Sequence, residues 1–280
     1  MASTGKKWAI GCGGGCLLVL LVLGGVGTCG YFGIKQVMDN AEDLKASLDE
    51  LHDRFGPADS YVPAADGTIS SVQLQVFLAA REDLVARAAP LSDILTTLDG
   101  NGQPLVKVRA GLKLIPSLIE YVGQRGKVLL EHDVHPGEYA YLYNLVYFVW
   151  LEHDPGDGPN FRISGNDPED GNIRWNVNKG DKGEARRERA RNARRELNTL
   201  LSRILSNQRD ALTAGGDMDS AWAEMLDAEL VALRDDPRRL AWQDGLPELM
   251  RSALAPYRDR LAAAYSEPLN GMEMAVFTDD

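Results

Sequence analysis

Apolar residues divide the chain into one long apolar run followed by a series of amphipathic segments. Residues 8–34 contain no charged side chain, and at about 1.5 Å of rise per residue a helix of that length exceeds the ~30 Å hydrocarbon core of a bilayer. The run therefore predicts a single transmembrane helix. Lys6 and Lys7 precede it and an acidic segment follows it. The positive-inside rule then places residues 1–7 in the cytoplasm and everything after the helix outside it.

Two other interpretations of this run stay open. A cleaved signal peptide has a shorter apolar region and a small-residue cleavage site, for which Gly25 and Gly27 have the right spacing. A lipoprotein needs an acylated cysteine, and all three cysteines of the chain lie within the run. The length of the run favours an uncleaved signal anchor, and the rest of the chain then has no cysteine with which to form a disulfide.

A second apolar pattern begins where the run ends. Closely spaced glycines within 8–34 favour tight packing against another transmembrane helix, and the residues beyond them follow the 3-4-3-4 spacing of a coiled-coil seam. The seam consists of Ile34, Val37, Ala41, Leu44, Leu48, Leu51 and Phe55. Residues 35–55 are thus predicted to form an amphipathic stalk helix. This helix either pairs with a second copy in a homodimer or docks on its own domain.

The remaining residues, 56–280, show helical periodicity over most of their length and no internal repeat, which predicts an all-α helical-bundle domain. After a loop, Ser70 and Gln73 have the spacing of a capping box, which marks the start of a helix. At 100° per residue, Arg81 falls in the middle of the apolar stripe of that helix. Because an unpaired buried charge is costly, Arg81 is expected to be buried and paired. Snorkelling to water and binding a ligand are the alternatives.

Residues 138–153 are apolar or aromatic on nearly every side and predict a helix at the centre of the core. The segment is too short to cross a membrane. Its few polar side chains need partners inside the domain, so Glu138 and Glu152 are the predicted partners of Arg81. The aromatic side chains either pack in the core or line a ligand pocket.

Two histidines just before this helix are weak candidates for a metal site. His132 and His135, with Glu131 or Asp133 beside them, offer too few ligands of the right kind for a closed zinc site. Helix capping and solvated turns are therefore the expected roles of these histidines, and neither a metal nor a cofactor is predicted.

Residues 154–183 depart from the helical pattern and are rich in glycine, aspartate, asparagine and proline. Two alternating stretches, one containing Phe161 and Arg162 and the other Arg174 and Trp175, predict a small β-hairpin laid on the helices. Because exposed loops on a rigid scaffold often carry function, these four residues form the candidate partner loop.

The rest of the chain completes the bundle. Residues 184–212 predict a long helix whose many arginines lie opposite its apolar face and are expected to form intramolecular ion pairs. Two amphipathic helices follow, near 219–234 and 247–265, and residues 272–277 alternate weakly, which predicts a short extended tail. The composition, 44% hydrophobic and 25% charged, is that of a globular domain, and a net charge of −11 argues against nucleic acid as a partner.

One stretch has a resemblance to known proteins. It contains Val62-Pro63, Asp66-Gly67, Ile69 and then Phe77-Leu78 with Arg81-Glu82, and it lies behind an anchor rich in glycine and cysteine. In these features the chain resembles uncharacterised bacterial single-pass membrane-anchored proteins. The resemblance covers a short part of the chain and implies no activity.

No catalytic motif is present in the sequence. The anchor and the acidic domain favour a non-enzymatic interaction or scaffold component of a bacterial envelope assembly. Its partners would be the bilayer, through residues 8–34, and an unknown envelope protein. A sensor that binds a small ligand near residues 138–153 and Arg81 is the alternative, and an envelope enzyme is the third hypothesis.

Overall fold

Helices account for nearly all the regular structure in the part of the chain that the computed structural model describes, as the periodicity predicts. The described residues are 45–99, 104–158, 162–164, 174–176, 182–216 and 220–275. The predicted transmembrane helix, 8–34, and the first part of the stalk lie outside these ranges. Within them, no helix is both long enough and apolar enough to cross a membrane.

Ten helices are numbered here in chain order through the described ranges. They are α1 (45–55), α2 (Ser71–Arg87), α3 (Ala89–Asp99), α4 (Pro104–Glu131), α5 (Pro136–Tyr143), α6 (Lys182–Ala214), α7 (Ala221–Asp235), α8 (Glu248–Leu254), α9 (Arg258–Ala263) and α10 (Glu267–Ala275). Short 3-10 helices occupy Ala58–Ser60 and Ala255–Tyr257, and a π-helical segment, Asn144–Trp150, continues α5.

The start of α2 has the capping geometry that the sequence predicts. The Ser70 side chain accepts a hydrogen bond from the backbone N–H of Gln73 at 3.1 Å, and the Gln73 side chain accepts one from the backbone N–H of Ser70 at 3.0 Å. Such a cap contributes about 1 kcal/mol to helix stability. Ile69 and Leu74 on either side of the cap are both buried. The first turn of α2 is therefore fixed both in position and in rotation about the helix axis.

The core lies where α2, α3 and α4 pack together and meet α5. Every residue from Tyr139 to Phe148 is buried, which confirms the prediction of a central helix. Its winding differs from that expected, because Leu151 N donates to Val146 O, five residues earlier, at 2.9 Å. Pro116 lies inside the continuous α4.

Helix α1, the described part of the stalk, docks on its own domain. Leu51 is buried in the core and Phe55 packs against it. A methyl group added at Gly126 of α4 would lie 3.0 Å from Ser47 Oγ and 3.4 Å from Leu51 Cδ1, so the two helices approach closely at this glycine. Leu48, on the seam, remains 38% exposed. The docked arrangement therefore applies to residues 45–55, while the homodimer stays a prediction.

A two-stranded hairpin interrupts the helices, as the alternation predicts. Strand β1 (Arg162–Ser164) pairs antiparallel with β2 (Arg174–Asn176), with Arg162 opposite Asn176. Phe161 lies outside the described residues. A role for this hairpin in binding a partner stays a prediction.

A partly buried ion pair fixes the turn that follows α7. Glu229 bonds Arg239 at 3.0 Å and also accepts the backbone N–H of Trp242 at 2.8 Å. Trp242 has a φ of 62°, which is unusual for a bulky side chain and persists only where the surroundings hold it. The Glu229 carboxylate and the stacking of Trp242 on Trp222 supply that support.

The close approach of α5 to the 3-10 helix Ala58–Ser60 yields a test of the packing. A methyl group added at Gly137 would lie 1.9 Å from Ala58 O, so Gly137→Ala should lower the free energy of unfolding by about 2 kcal/mol or more. Gly111→Ala, in α4, meets no described atom within 4 Å and should raise it by about 0.5–1 kcal/mol. Urea unfolding in detergent, followed by circular dichroism, measures both. Equal effects of the two variants would contradict the packing described.

Candidate functional site

Arg81 lies on the apolar side of α2, where the sequence places it, and its side chain is 0% exposed. Its Nη1 donates to the carboxylate of Glu273 and, at 2.7 Å, to the hydroxyl of Tyr139. Its Nη2 donates to the carbonyl of Ala264 at 2.9 Å. The head group is therefore bonded to a charge, a hydroxyl and a backbone carbonyl, each from a different part of the chain.

The carboxylate of Glu273, in α10, is the centre of the site. Besides the guanidinium of Arg81, it accepts the Tyr139 hydroxyl at 2.9 Å. Arg125 of α4 approaches from the other side, with its Nε 3.6 Å from Glu273 Oε2. Its guanidinium also lies over the Tyr139 ring, 5.2 Å from the centroid. Two arginines and one tyrosine thus surround a single buried carboxylate.

Two further tyrosines present their ring faces to Arg81. The guanidinium carbon lies 5.1 Å from the ring centroid of Tyr143 and 5.3 Å from that of Tyr147, distances at which cation–π attraction is effective. Residues four apart drift by about 40° around an α-helix. At this spacing Tyr143 and Tyr147 stay on one side of the helix across the change to π winding at Asn144.

The buried charges shift each other's pKa values. Burial alone would lower the pKa of the Arg81 guanidinium, but the Glu273 carboxylate raises it well above its ordinary value. Burial opposes ionisation of Glu273, yet Arg81 and Arg125 hold its pKa below the ordinary range. Burial also raises the pKa of Tyr139. At neutral pH the site therefore contains charged arginine and glutamate side chains and a protonated tyrosine that donates.

The predicted partners of Arg81, Glu138 and Glu152, are wrong, although the prediction of a buried pair is right. Glu138 lies in the first turn of α5 and accepts the side-chain N–H of Gln73 at 3.0 Å instead. Glu152 comes after the π-helical segment has ended at Trp150, in a left-handed turn with a φ of 59° and an exposed side chain. Neither carboxylate therefore lies in the site.

A second residue of α10, Asn270, fixes the helix one turn before Glu273. Tyr143 donates its hydroxyl to Asn270 Oδ1 at 2.9 Å. Asn270 Nδ2 lies 3.2 Å from the backbone carbonyls of both Pro155 and Asp157. The amide is thus bound at its oxygen and at its nitrogen, and it is fully buried.

Sequence reasoning missed Arg125, Asn270 and Glu273 for two reasons. Arg125 lies on the apolar stripe of α4 between Tyr121 and Val128, both of which are buried, so the argument that finds Arg81 would have found it too. Glu273 belongs to residues 272–277, where weak alternation suggests an extended tail, and Asn270 lies between that tail and the helix predicted near 247–265. That interpretation is wrong over the described part, because the helix continues to Ala275.

The two histidines considered for a metal stabilise local structure instead. His135 is the N-cap of α5: its Nδ1 accepts the backbone N–H of Gly137 at 2.9 Å, and its Nε2 lies 3.3 Å from Ser60 Oγ. His132 Nε2 lies 3.4 Å from an oxygen of Asp83. Among the described residues, no group of three or more histidine, cysteine, aspartate or glutamate side chains is placed to hold a metal ion.

The arrangement around Glu273 is chemically a carboxylate-binding site whose ligand belongs to the same chain. Paired arginine N–H groups and a tyrosine hydroxyl recognise a carboxylate strongly when water is excluded. No family model, curated protein or solved structure matches the chain. Function must therefore be argued from the site and the surfaces themselves.

The buried pair predicts strong energetic coupling between Arg81 and Glu273. Arg81→Met leaves the Glu273 carboxylate buried with part of its compensation lost, so the free energy of unfolding should fall by about 3–5 kcal/mol. Glu273→Gln should lower the free energy of unfolding by clearly less in the Arg81→Met protein than in the wild type. The double-mutant cycle should give a coupling energy of roughly 1–3 kcal/mol.

The matched control is the exposed pair Arg260–Glu82, at 2.9 Å on the surface. The same cycle with Arg260→Met and Glu82→Gln should give a coupling of at most about 1 kcal/mol. Denaturant unfolding measures both cycles. A loss below about 1 kcal/mol for Arg81→Met would contradict a buried, paired arginine.

The His135 cap predicts a pH dependence of stability. Burial lowers the pKa of His135 in the folded chain, so protons bind more readily to the unfolded chain. The contribution of His135 to the free energy of unfolding is fully present above about pH 6.5 and is lost as the pH falls below that value. His135→Asn keeps an acceptor for the N–H of Gly137 and removes the titration.

The wild type should therefore lose more stability than His135→Asn between pH 7.5 and 5. His153, whose pKa burial also lowers, titrates in both proteins and cancels in the difference. Unfolding midpoints measured across this range provide the comparison, and parallel curves for the two proteins would contradict the role given to His135.

Proposed function

We propose that this chain is a single-pass, membrane-anchored protein whose all-α domain acts outside the cytoplasm as a non-enzymatic interaction or scaffold component of a bacterial envelope assembly. Residues 8–34 form the anchor in this proposal. The stalk carries the chain from the bilayer to the helical domain.

The observation that carries the proposal is that the most chemically distinctive group, the Arg81 guanidinium, is bonded to groups of its own chain. Enzymes and small-ligand sensors keep polar groups open toward a cleft. Here Arg81 and Glu273 are each 0% exposed, and the hydroxyl of Tyr139 bonds both of them. In this conformation the site binds no outside molecule, so a partner would bind to the outer surface of the domain.

The outer surface of α6 supports a protein partner rather than a nucleic acid. Several of its arginines are paired with carboxylates of the same chain. Arg186 bonds Asp157 at 2.5 Å, Arg203 bonds Asp59 at 2.5 Å and Arg209 bonds Asp227 at 2.6 Å. These pairs neutralise part of the basic side of the helix and reduce the charge available to phosphate groups.

The docking of α1 supports a scaffold function. Because α1 packs closely against α4 at Gly126, the described end of the stalk is joined rigidly to the domain rather than through a flexible linker. The described end of the stalk therefore has a fixed position on the domain. Such an arrangement suits a component that positions a partner.

Membrane attachment is tested by fractionation. The full chain should sediment with membranes and resist alkaline carbonate, whereas a variant that lacks residues 8–34 should be released, because a span of this kind is effectively irreversible in its insertion. Protease added to spheroplasts should then digest the domain and spare an N-terminal tag. Recovery of the full chain in the soluble fraction would overturn the proposal.

The interaction role is tested by photocrosslinking in intact membranes. A crosslinking amino acid at Val72 of α2, which is 67% exposed, or at Val231 of α7, which is 44% exposed, samples two different helices. At least one position should give a discrete product with a defined second protein, while Leu78, fully buried, serves as the matched control. The absence of any discrete product from such exposed positions around the domain would argue against a scaffold.

A further inference from the structure

Polar groups supply a large share of the attachment of helix α10 to the domain. Of its described side chains, Asn270 and Glu273 are fully buried, the apolar Leu269 is 1% exposed, and the apolar Met272 packs against the core. A short core helix is usually fixed by an apolar face. Here hydrogen bonds to an amide and a carboxylate supply much of that attachment.

The groups that receive these two side chains belong to helices that pack together without α10. Arg81 lies on α2, Arg125 on α4, and Tyr139 and Tyr143 on α5. We use the name "carboxylate socket" for these four residues. Helix α10 comes after all of them and is joined to α9 by a short segment, so it can leave without breaking the contacts among α2, α4 and α5.

Solvation makes such a departure less costly than the loss of an apolar contact. When α10 opens, the Arg81 guanidinium and the Glu273 carboxylate both regain water. This hydration offsets much of the free energy that is lost when the ion pair breaks. Opening of α10 should therefore require less free energy than unfolding of the domain, as for other terminal elements that open locally.

We propose that α10 is a tethered internal ligand, and that the carboxylate socket is a binding site for an acidic helical segment of a partner protein. The resident helix defines the chemistry of that segment: an amide side chain and a carboxylate side chain one helical turn apart, as in Asn270 and Glu273. At rest α10 fills the socket, and the partner segment binds when α10 opens. The existence of a biological partner for the socket rests on the interaction function proposed above.

The socket selects both members of this pair. At Glu273, the guanidinium of Arg81 and the hydroxyl of Tyr139 demand an acceptor, and a neutral or basic side chain would leave Arg81 buried without its counter-charge. At Asn270, a hydroxyl donates to the side-chain oxygen while the carbonyls of Pro155 and Asp157 face the side-chain nitrogen. Only an amide satisfies donors and acceptors together.

Hydrogen exchange on the purified full chain tests the opening. In the wild type, the hydrogen-bonded amides of α10 should exchange faster than those of α2 and α5, because they open locally. Glu273→Gln should raise the exchange of α10 by at least about tenfold, since loss of a charged hydrogen bond weakens this attachment. Glu267→Gln, at an exposed carboxylate on the same helix, is the control and should change exchange by less than about twofold.

Equal exchange of α10, α2 and α5 in the wild type would overturn the opening, because α10 would then leave only with global unfolding. This comparison needs no variant, so it decides the point even if Glu273→Gln fails to fold.

Binding is tested with a fluorescein-labelled peptide of residues 264–275 added to the full chain. The Glu273→Gln protein should bind this peptide more tightly than the wild type, because its own helix vacates the socket more often. Peptides that carry Glu273→Gln or Asn270→Ala should bind at least about tenfold more weakly, since each loses a buried hydrogen-bonded group. These changes are made in the peptide and leave the folding of the protein unaffected.

Equal binding of the three peptides, or no binding to the Glu273→Gln protein, would overturn the carboxylate socket as a partner site. Both experiments use purified protein and do not depend on membrane insertion. Their failure would leave the fractionation and crosslinking results unchanged, so failure of this inference and failure of the proposed function are distinguishable.

Discussion

The desolvation of Arg81 is the constraint on which the arrangement of this domain depends. A guanidinium taken out of water must recover its lost hydration from other groups. Arg81 does so through a carboxylate 192 residues away in the sequence, together with the Tyr139 hydroxyl and the Ala264 carbonyl. A buried ion pair adds little stability over an apolar pair of the same size, but it strongly penalises any packing that leaves one partner alone. It therefore specifies the position of α10 more than it strengthens the core.

Local signals in the sequence were sufficient wherever the determining contacts lie within a few residues. The Ser70–Gln73 cap, the burial of Arg81 and the presence of a hairpin that contains Arg162 and Arg174 are of this kind. The identity of the partner of Arg81 is not, because it depends on which distant element reaches the site. Glu138 and Glu152 lie on or beside the central helix, but the acidic side chain that reaches Arg81 belongs to a helix whose own pattern is too weak to predict.

The central helix shows a second limit of periodicity. A segment that is apolar on every side has no preferred face, so its pattern does not distinguish α winding from the π winding of Asn144–Trp150. The difference affects side-chain placement directly. Tyr143 and Tyr147 both lie over the Arg81 guanidinium, and the helix ends at Trp150, which leaves Glu152 in an exposed turn.

The two ends of the described domain are supported by the same turn of α4. Gly126 has no side chain and allows α1 to approach, while the preceding residue, Arg125, turns toward Glu273 of α10. Adjacent residues on an α-helix point about 100° apart, so one turn of α4 presents one face to the stalk and another to the buried carboxylate. A shift of α4 that improved either contact would change the other, because both depend on the same backbone. The stalk and the last helix are thus linked through a single rigid element, although they never need to touch.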